Sequence, residues 1–339
     1  MNRFVSIVAF SLVGGGATAQ SQPAPALHTI NVITFAGGLN LPTYVAQRQG
    51  FFAKHGVDVN LRYTPNSVHL MTGLIEGRFD LVATAAIDNL VAYQEGQGEA
   101  PVKVQPDLVA FMGTDDGFLN LVALPEVKGV ADLRGGDLGV DAVSTGFAFV
   151  LREMVERAGI KDSEVKYVRA GGTNLRYAAL LDRKFAATLL STPFDLQAEA
   201  RGFTRLGSAT ELLGAYQGRA AFGMRGWIRD NEAAVIGFMR ALREAMDWIY
   251  DPQNRDICEA LLLANDRDTT PALAKKTYDM FVGRKGGMYR DLRINMEGFK
   301  VVLALRSKYG QPRRELNDPM KYVDLDLYGK AFPGRTPAK

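Results

Sequence analysis

The chain has 339 residues, which is enough for two domains with sizeable cores. Its 40 lysines and arginines against 37 acidic residues give a formal net charge of +3 at pH 7, without any basic block, so nucleic acid is not expected as a partner. The single cysteine, Cys258, excludes an internal disulfide, and its apolar neighbours favour a buried, unreactive side chain.

The first 19 residues have the form of a secretory signal peptide. A basic Arg3 precedes an apolar run over residues 4–13, and Ala17 and Ala19 place small side chains at the expected cleavage signal. We expect cleavage after Ala19 and a periplasmic mature chain. The alternative is an uncleaved anchor, although the apolar run is shorter than a membrane span requires.

The mature part begins with a βαβαβ pattern. A strand is predicted over residues 28–35, and Gly37-Gly38 forms the turn before a helix with Pro42 in its first turn. A second strand over residues 57–63 leads to a helix that ends in Leu-Ile-Glu-Gly-Arg-Phe at residues 74–79. An apolar strand at residues 82–86 completes the unit.

The same pattern returns further along the chain. After two apolar strands between residues 109 and 124, a strand over residues 137–143 runs into Ser144-Thr145-Gly146 and a helix. A strand at residues 165–168 and a helix ending in Leu-Leu-Asp-Arg-Lys-Phe at residues 180–185 follow. Two such units predict two α/β lobes of similar build, with a cleft over the carboxyl ends of their strands. The alternative is chance similarity of two amphipathic helices.

The last third of the chain is predicted to be helical after one more strand at residues 220–224. Asp230 is expected to cap a long helix to Tyr250, and helices over residues 270–282 and 294–309 follow. We therefore assign residues 27–123 and 220–330 to lobe one, residues 124–219 to lobe two, and residues 331–339 to a disordered tail.

Residues 43–59 carry a pattern found in a known family. The run Thr-Tyr-Val-Ala-Gln-Arg-Gln-Gly-Phe-Phe-Ala-Lys-His-Gly-Val-Asp-Val resembles a recurring segment of the SsuA-like solute-binding proteins, a group that includes the thiamine-pyrimidine-precursor binders. Residues 74–83, residues 130–140 and the Trp227-Ile228 step match further motifs of that family in the same order. The similarity covers nearly all of the mature chain and indicates the scaffold better than the ligand.

The resemblance implies both a fold and a function. The fold is an α/β, two-lobe periplasmic binding protein of type II-like build, with a ligand cleft between the lobes and a helical C-terminal extension of lobe one. The function is that of the periplasmic substrate-binding component of an ABC transporter. Such a protein captures a small polar organic solute, here of sulfonate type or another small anion or zwitterion, by hinge closure and delivers it to a membrane permease. We expect a monomer that needs no cofactor or metal and is not an enzyme.

In this family the ligand lies against loops at the ends of the first and third strands of each lobe. Carried over by motif, these loops are residues 34–39 and 84–88 in lobe one, and residues 141–147, 170–173 and 191–195 in lobe two. The candidate ligand-binding residues are Phe35, Gly37, Gly38, Leu39, Thr84, Asp88, Asp141, Ser144, Thr145, Gly146, Phe147, Gly172, Thr173, Ser191, Thr192 and Asp195.

The chemistry of these loops suggests a charged ligand. Gly37-Gly38 and Ser144-Thr145-Gly146 each precede a helix, whose N-terminal N–H groups favour an anionic head group. Asp88, Asp141 and Asp195 act in the opposite direction and favour a ligand that carries an amine or a ring N–H. Helix capping is the alternative role for the serine, threonine and aspartate side chains. Phe35 and Phe147 are predicted to be aromatic walls, with core packing as the alternative.

Other functions compete with ligand transport. One branch of the family makes a pyrimidine with a reactive histidine and a cysteine-rich loop, but here Asp88 stands where that histidine would fall. The only histidines are His28, His55 and His69, and their spacing relative to Cys258 suggests neither catalysis nor a metal site. Binding of a thiamine-precursor pyrimidine and a ligand-sensing role stay open as alternatives.

Overall fold

The structure, a computed structural model, describes residues 26–283 and 287–334. The predicted signal peptide and the last five residues of the predicted tail lie outside the described residues. The strands are β1 His28–Phe35, β2 Val57–Thr64, β3 Leu81–Ala86, β4 Leu108–Asp115, β5 Leu119–Ala123, β6 Asp137–Val140, β7 Lys166–Arg169, β8 Ala187–Ser191, β9 Thr204–Ser208 and β10 Arg219–Met224. The helices are α1 Leu41–Arg48, α2 Phe51–Lys54, α3 Ser67–Ile75, α4 Ile87–Gln94, α5 Gly146–Arg157, α6 Thr173–Leu181, α7 Phe194–Glu199, α8 Ala209–Leu213, α9 Arg225–Asp230, α10 Glu232–Ile249, α11 Arg255–Asn265, α12 Pro271–Phe281, α13 Met296–Tyr309 and α14 Leu325–Ala331.

The strands form two sheets of five that are built in the same way. The first has the order β2-β1-β3-β10-β4, and the second has the order β7-β6-β8-β5-β9. In each sheet the first three strands are parallel, as the βαβαβ repeat predicts. The fourth strand is antiparallel to the third, because it arrives from the other half of the chain. The predicted repeat is therefore confirmed at the level of topology.

The boundary predicted for lobe one is wrong by one strand. We expected residues up to 123 in lobe one, but β5 pairs with β8 and β9 in the second sheet. The chain thus crosses between the sheets at residues 116–118, and it returns at residues 214–218. All five residues of β5 are buried, so its apolar sequence predicts a strand without indicating which sheet it joins.

Long helices of the last third of the chain cover the first sheet. On α10, Val235, Phe238, Leu242 and Ile249 are buried against that sheet, which confirms the predicted apolar stripe. Asp230 does not cap this helix; it ends the short helix α9, and α10 begins after Asn231. Helix α14 continues to the first residue of the predicted disordered tail.

Helix α13 packs against both lobes. It contacts α4 of lobe one and α5 of lobe two. Lys308 and Tyr309, at its C-terminal end, bind Glu153 on α5 through contacts of 2.8 Å. The predicted extension of lobe one is thus also a third connection between the lobes. Within the described ranges, no helix is long and apolar enough to cross a bilayer.

Candidate functional site

A cavity of about 600 Å³ of space not filled by protein atoms lies between the two lobes. The ends of β1, β3, β6 and β8 meet there, as expected for the carboxyl edges of sheets of this build. The predicted residues that line it are Phe35, Gly37, Gly38, Leu39, Thr84, Asp141, Thr145, Phe147, Thr173, Ser191 and Thr192. Ala36, Ala86 and Phe194 also line it; they belong to the predicted loops but are not among the candidate residues. Four residues from outside the predicted loops complete the lining: Ser67, Asn89, Arg176 and Arg219.

Asp88 is a predicted site residue that does not line the cavity. It is buried, and both its carboxylate oxygens accept hydrogen bonds from Arg306 of α13, with Nε 2.5 Å from Oδ1. The same guanidinium donates to the carbonyl oxygen of Ser144 in lobe two at 2.7 Å. Through Arg306, Asp88 therefore stabilises the contact between the two lobes.

Gly146 also lies at that junction and not at the cavity. A Cβ atom placed on Gly146 would stand 2.4 Å from the Cβ of Asp88. The residue is therefore a glycine because α5 approaches α4 so closely.

Ser144 and Gly172 likewise connect the lobes without lining the cavity. The N–H and hydroxyl of Ser144 donate to Glu99 Oε1 at 2.7 and 3.0 Å. The N–H of Gly172 donates to the carbonyl oxygen of Pro65 at 2.8 Å, across the cleft. These loops therefore include contacts that hold the lobes together.

Asp195 lies behind the cavity wall. Its Oδ2 accepts hydrogen bonds from Asn120 at 2.6 Å and from Thr192 at 3.2 Å. Its Oδ1 is buried, and no described residue is its hydrogen-bond partner. Burial raises the pKa of this carboxyl group to about 6. Its contacts are those of a side chain that holds β5 and α7 together.

Arg176 of α6 is one of two buried arginines at the cavity that the sequence did not reveal. It is 3% exposed, and it donates to the carbonyl oxygen of Gly171 at 2.6 Å and to Thr173 Oγ1 at 3.1 Å. Burial lowers its pKa to about 10, while the nearby Asp141 acts in the opposite direction. The guanidinium is held rigidly at the edge of the cavity.

Arg219 approaches the cavity from the start of β10. Its Nη1 donates to Asp115 Oδ1 at 3.0 Å, and its Nη2 donates to Ser191 Oγ of lobe two at 2.5 Å. Its guanidinium carbon lies 5.2 Å from the ring centroid of Phe147. In the part of the chain that the structure describes, its Nε has no acceptor within hydrogen-bond distance, although the residue is only 6% exposed. A guanidinium group held at the wall of a cavity in this way is available to an anionic ligand.

Asp141 joins the two lobes beside these arginines. It accepts hydrogen bonds from the N–H of Ser67 at 3.1 Å and from the Ser67 hydroxyl, at the start of α3 in the opposite lobe. Burial raises the pKa of its carboxyl group, and the nearby Arg176 opposes that shift. The cavity thus contains two guanidinium groups and one carboxylate, all close to the line where the lobes meet.

Three phenylalanines form the apolar walls. Phe35 and Phe147 were predicted for this role, and Phe194 at the start of α7 joins them. Gly37 has φ of +138°, and a Cβ atom there would stand 3.0 Å from the Phe194 ring. Glycine is therefore required at position 37 both by its backbone conformation and by its close contact with the opposite lobe.

None of the three histidines lines the cavity. His55 contacts Glu244 at 2.9 Å, and His69 lies next to the ring of Phe79. Cys258 is buried in lobe one, where burial raises its pKa to about 12. Among residues 26–283 and 287–334, no group of histidine, cysteine or acidic side chains is arranged to hold a metal ion.

Comparison with known proteins gives consistent matches. The sequence profile of the family described as NMT1/THI5 like matches residues 40–255. No curated protein sequence matches the chain. Among solved structures, a protein from Bordetella bronchiseptica RB50 is 19% identical with a TM-score of 0.74, over 89% of this chain and 96% of that one.

Two further structures carry informative names. The periplasmic nitrate-binding protein NrtA from Synechocystis PCC 6803 is 14% identical with a TM-score of 0.75, over 91% of this chain and 89% of that one. The alkanesulfonate-binding protein SsuA from Xanthomonas axonopodis pv. citri, bound to MOPS, is 15% identical with a TM-score of 0.68, over 89% and 99%. The family match and the shared two-sheet architecture confirm the resemblance seen in the motifs: the chain belongs to the NMT1/THI5-like family and has the α/β, two-lobe fold of periplasmic binding proteins.

Proposed function

We propose that this protein is the periplasmic ligand-binding component of an ABC importer. It captures a small organic solute between its lobes and presents it to a membrane permease. Support comes from the family match, from a structural neighbour that is named as the ligand-binding component of an ABC-type import system, and from neighbours named as nitrate-binding and alkanesulfonate-binding proteins. A cavity enclosed by both lobes suits this role, because its closure depends on both lobes contacting one solute.

The observation that carries the ligand class is the pair of buried arginines. Arg176 and Arg219 both line the cavity. Asp141 and Asp115 lie beside them, and among the described residues no acceptor is within hydrogen-bond distance of the Arg219 Nε. A sulfonate or carboxylate group at this point would gain charge-assisted hydrogen bonds. A ligand with an added amine would find the Asp141 carboxylate on the same side, so zwitterions belong to the proposed class.

A second candidate is a thiamine-precursor pyrimidine. The flat faces of Phe35, Phe147 and Phe194 suit a heteroaromatic ring. Asn89 supplies an amide beside them, and its Nδ2 donates to Ser67 Oγ at 3.2 Å. A ring with acceptor nitrogen atoms could use Arg219 in place of an anion. The family description, which refers to THI5, also favours this candidate.

Binding without catalysis fits the groups at the cavity. The branch that makes a pyrimidine needs a reactive histidine, and Asp88 at the corresponding position is committed to Arg306. A sensing role uses the same closed form, so a permease encoded by a neighbouring gene would favour transport over sensing.

The test is a thermal-shift screen of the mature chain. Alkanesulfonates, taurine, aromatic and aliphatic carboxylates, and aminopyrimidines are each added in excess. A ligand that binds only the folded state raises the free energy of unfolding by about 2.7 kcal/mol at a hundredfold excess over Kd. We expect a sulfonate, carboxylate or zwitterion to raise Tm. A response to aminopyrimidines alone would favour the second candidate, and no response in any class would contradict both.

A further inference from the structure

Helix α7 of lobe two carries one wall of the cavity and also reaches lobe one. Phe194, its first residue, lines the cavity beside the turn of Gly37 and Gly38. A Cβ atom on Gly38 would stand 3.2 Å from Pro193, which precedes α7, and 3.1 Å from Leu262 of α11. The turn is therefore packed between α11 of its own lobe and the start of α7 from the other lobe.

The loop of residues 266–270, which joins α11 to α12, binds α7 across the boundary between the lobes. Gln197 Nε2 donates to Asp266 Oδ2 at 2.6 Å and to Thr269 Oγ1 at 3.0 Å. Gln197 lies three residues after Phe194, so the two side chains lie on neighbouring parts of the same helix face. A contact that holds Gln197 thus also fixes the position of the Phe194 wall.

The α11–α12 loop is ordered by its own hydrogen bonds. Asp266 Oδ1 accepts from the N–H of Asp268 at 3.1 Å, and Asp266 Oδ2 accepts from the Thr269 hydroxyl at 3.0 Å. The loop therefore presents the Asp266 carboxylate to Gln197 in a defined geometry. A second contact lies at the surface, where Arg201 Nη2 donates to Asp268 Oδ1 at 2.9 Å and both side chains are about half exposed. Water can replace this outer ion pair at little cost.

The Gln197 contact is suited to open as well as to close. The residue is 1% exposed, and its Oε1 has no hydrogen-bond partner among the described residues. Closure thus gains two hydrogen bonds at Nε2 but buries an acceptor that water can reach when the lobes separate, and this loss opposes closure. The junction at α13 differs, because its buried Arg306 donates to acceptors on both lobes.

We propose that Gln197 and the α11–α12 loop form a latch, which holds the Phe194 wall over the bound solute and sets the rate at which the solute leaves. The role in solute release rests on the proposed function, whereas the latch itself joins the lobes in any closed form. Gln197, Asp266 and Thr269 lie outside the cavity lining, so the latch acts through the position of Phe194. Gln197 is thus a positioning residue.

The first test needs no solute. A protein with Arg201→Cys and Asp268→Cys is treated with a short bifunctional thiosulfonate, which traps closed molecules as they form; the native Cys258 is buried. Gln197→Met keeps the length of the side chain and removes both of its hydrogen bonds. In this background it should lower the trapping rate about tenfold. Thr269→Val changes only the loop side of the latch and should lower the rate as well.

Gln94→Met is the matched control, because Gln94 Oε1 accepts a hydrogen bond from the N–H of Leu108 at 2.8 Å within lobe one. It should leave the trapping rate unchanged. Equal trapping rates with and without Gln197→Met and Thr269→Val would overturn the proposal. An equal fall in Gln94→Met would do the same, since it would show a general loss of stability.

The second test is surface plasmon resonance with ethanesulfonate, benzoate and 4-amino-2-methylpyrimidine as probes. For a probe that binds, Gln197→Met should raise the dissociation rate about tenfold and leave the association rate unchanged. An unchanged dissociation rate refutes the latch and leaves the proposed function standing. If trapping responds as expected while no compound of the screen binds, the contact between the lobes is supported and the proposed function fails.

Discussion

Arg219 is the residue whose substitution should change ligand affinity most directly. A lysine at this position keeps the positive charge but loses the fork that reaches Asp115 and Ser191 together with a free Nε–H. We expect Arg219→Lys to weaken ligand affinity about ten- to hundredfold, the range for loss of a charge-assisted hydrogen bond of about 1.5–3 kcal/mol. Calorimetry with a ligand found in the screen measures this. The control is Arg225→Lys, an exposed arginine on the next helix; equal affinities for both folded variants would place the anion elsewhere.

The buried carboxyl group of Asp195 should make the free energy of unfolding depend on pH. Its pKa is about 6 in the folded state against 3.8 in the unfolded chain, because folding buries it. Below pH 3.8 the carboxyl is protonated in both states, whereas stability is lost as the pH rises through about 6 and the folded state must bury a charge. In Asp195→Asn this loss is absent. Between pH 3.5 and 7.5 the free energy of unfolding of the variant, relative to the unmodified protein, should rise by on the order of 3 kcal/mol.

Urea unfolding at both pH values measures that difference. A constant difference between the two proteins across this range would show that Asp195 titrates normally. The comparison between variants isolates this group, since the other acidic residues titrate in both proteins.

A side chain added at Gly146 should disturb closure of the lobes. Gly146→Ala places a Cβ atom where Asp88 now packs, and overpacking of this kind costs about 1–3 kcal/mol. The closed form should be destabilised, so affinity falls and small-angle scattering gives a larger radius of gyration in the presence of ligand. Gly226→Ala is the control, because its Cβ atom would meet open space. Tight closure with unchanged affinity in Gly146→Ala would contradict the packing argument.

The sequence located the binding loops better than their individual roles. Glycines and small polar residues directly after apolar strands drew attention to loops whose residues Phe35, Gly37 and Thr145 line the cavity in the structure. The partner of Asp88 is 218 residues away, so no local pattern separates a ligand-facing carboxylate from one paired across the fold. Arg176 lies on an amphipathic helix where an arginine ordinarily faces solvent, and only the tertiary packing turns it inward.

At the scale of elements, the N-terminus of α5 is the most informative feature. Glu99, just beyond α4, accepts two hydrogen bonds from Ser144 and lies 2.8 Å from Arg169. All of these contacts join lobe one to lobe two, and none of the three residues lines the ligand cavity. Glu99 therefore stabilises the closed form without contact with the ligand.

We expect Glu99→Gln to weaken every ligand by the same factor. Loss of hydrogen bonds to a charged group costs about 1.5–3 kcal/mol, and a shift of the closed population lowers apparent affinity without changing selectivity. Calorimetry with two chemically different ligands tests this. Glu126→Gln serves as control, because Glu126 is exposed and its partner Arg183 belongs to the same lobe. A change in the ratio of the two affinities would indicate direct ligand contact instead.

The strands illustrate what local patterns leave open. The repeat of strand, helix and strand was readable because its hydrophobic period and its glycines recur in both halves. The partners of β5 and β10 were not, since both strands are mostly apolar and buried and pair with strands that are distant in the chain. Their antiparallel pairing depends on contacts between distant parts of the chain, which no local pattern encodes.

At the scale of the whole molecule, two short crossings and helix α13 connect the lobes. The crossings run side by side: a Cβ atom on Gly218 would stand 2.1 Å from the nitrogen of Gly117. Apart from the crossings, the lobes contact each other through Ser67 and Asp141 and through Glu99 and Ser144, which are side-chain contacts that can separate. This layout is typical of a hinge with separable lobes.

We therefore expect the lobes to separate in the absence of ligand. Small-angle scattering of the mature chain should give a smaller radius of gyration after addition of a ligand identified in the screen. Because α13 binds both lobes, Arg306→Lys should increase the radius of the free protein further, as it weakens the contact with Asp88 and Ser144. An identical radius with and without ligand would show that the lobes are held closed by their own contacts.

The position of β10 also determines the order in which the protein can be completed. A chain made from its N-terminus delivers β1 to β4 first, but β3 and β4 have no shared neighbour until residue 224 of 339 has appeared. The strands of the second sheet, by contrast, form one uninterrupted stretch from Leu119 to Ser208. During synthesis, the edges of β3 and β4 stay unpaired until β10 has been made, whereas all strands of the second sheet are already present. Unpaired edges of this kind are prone to wrong pairing. The first lobe to be translated is the last that can fold.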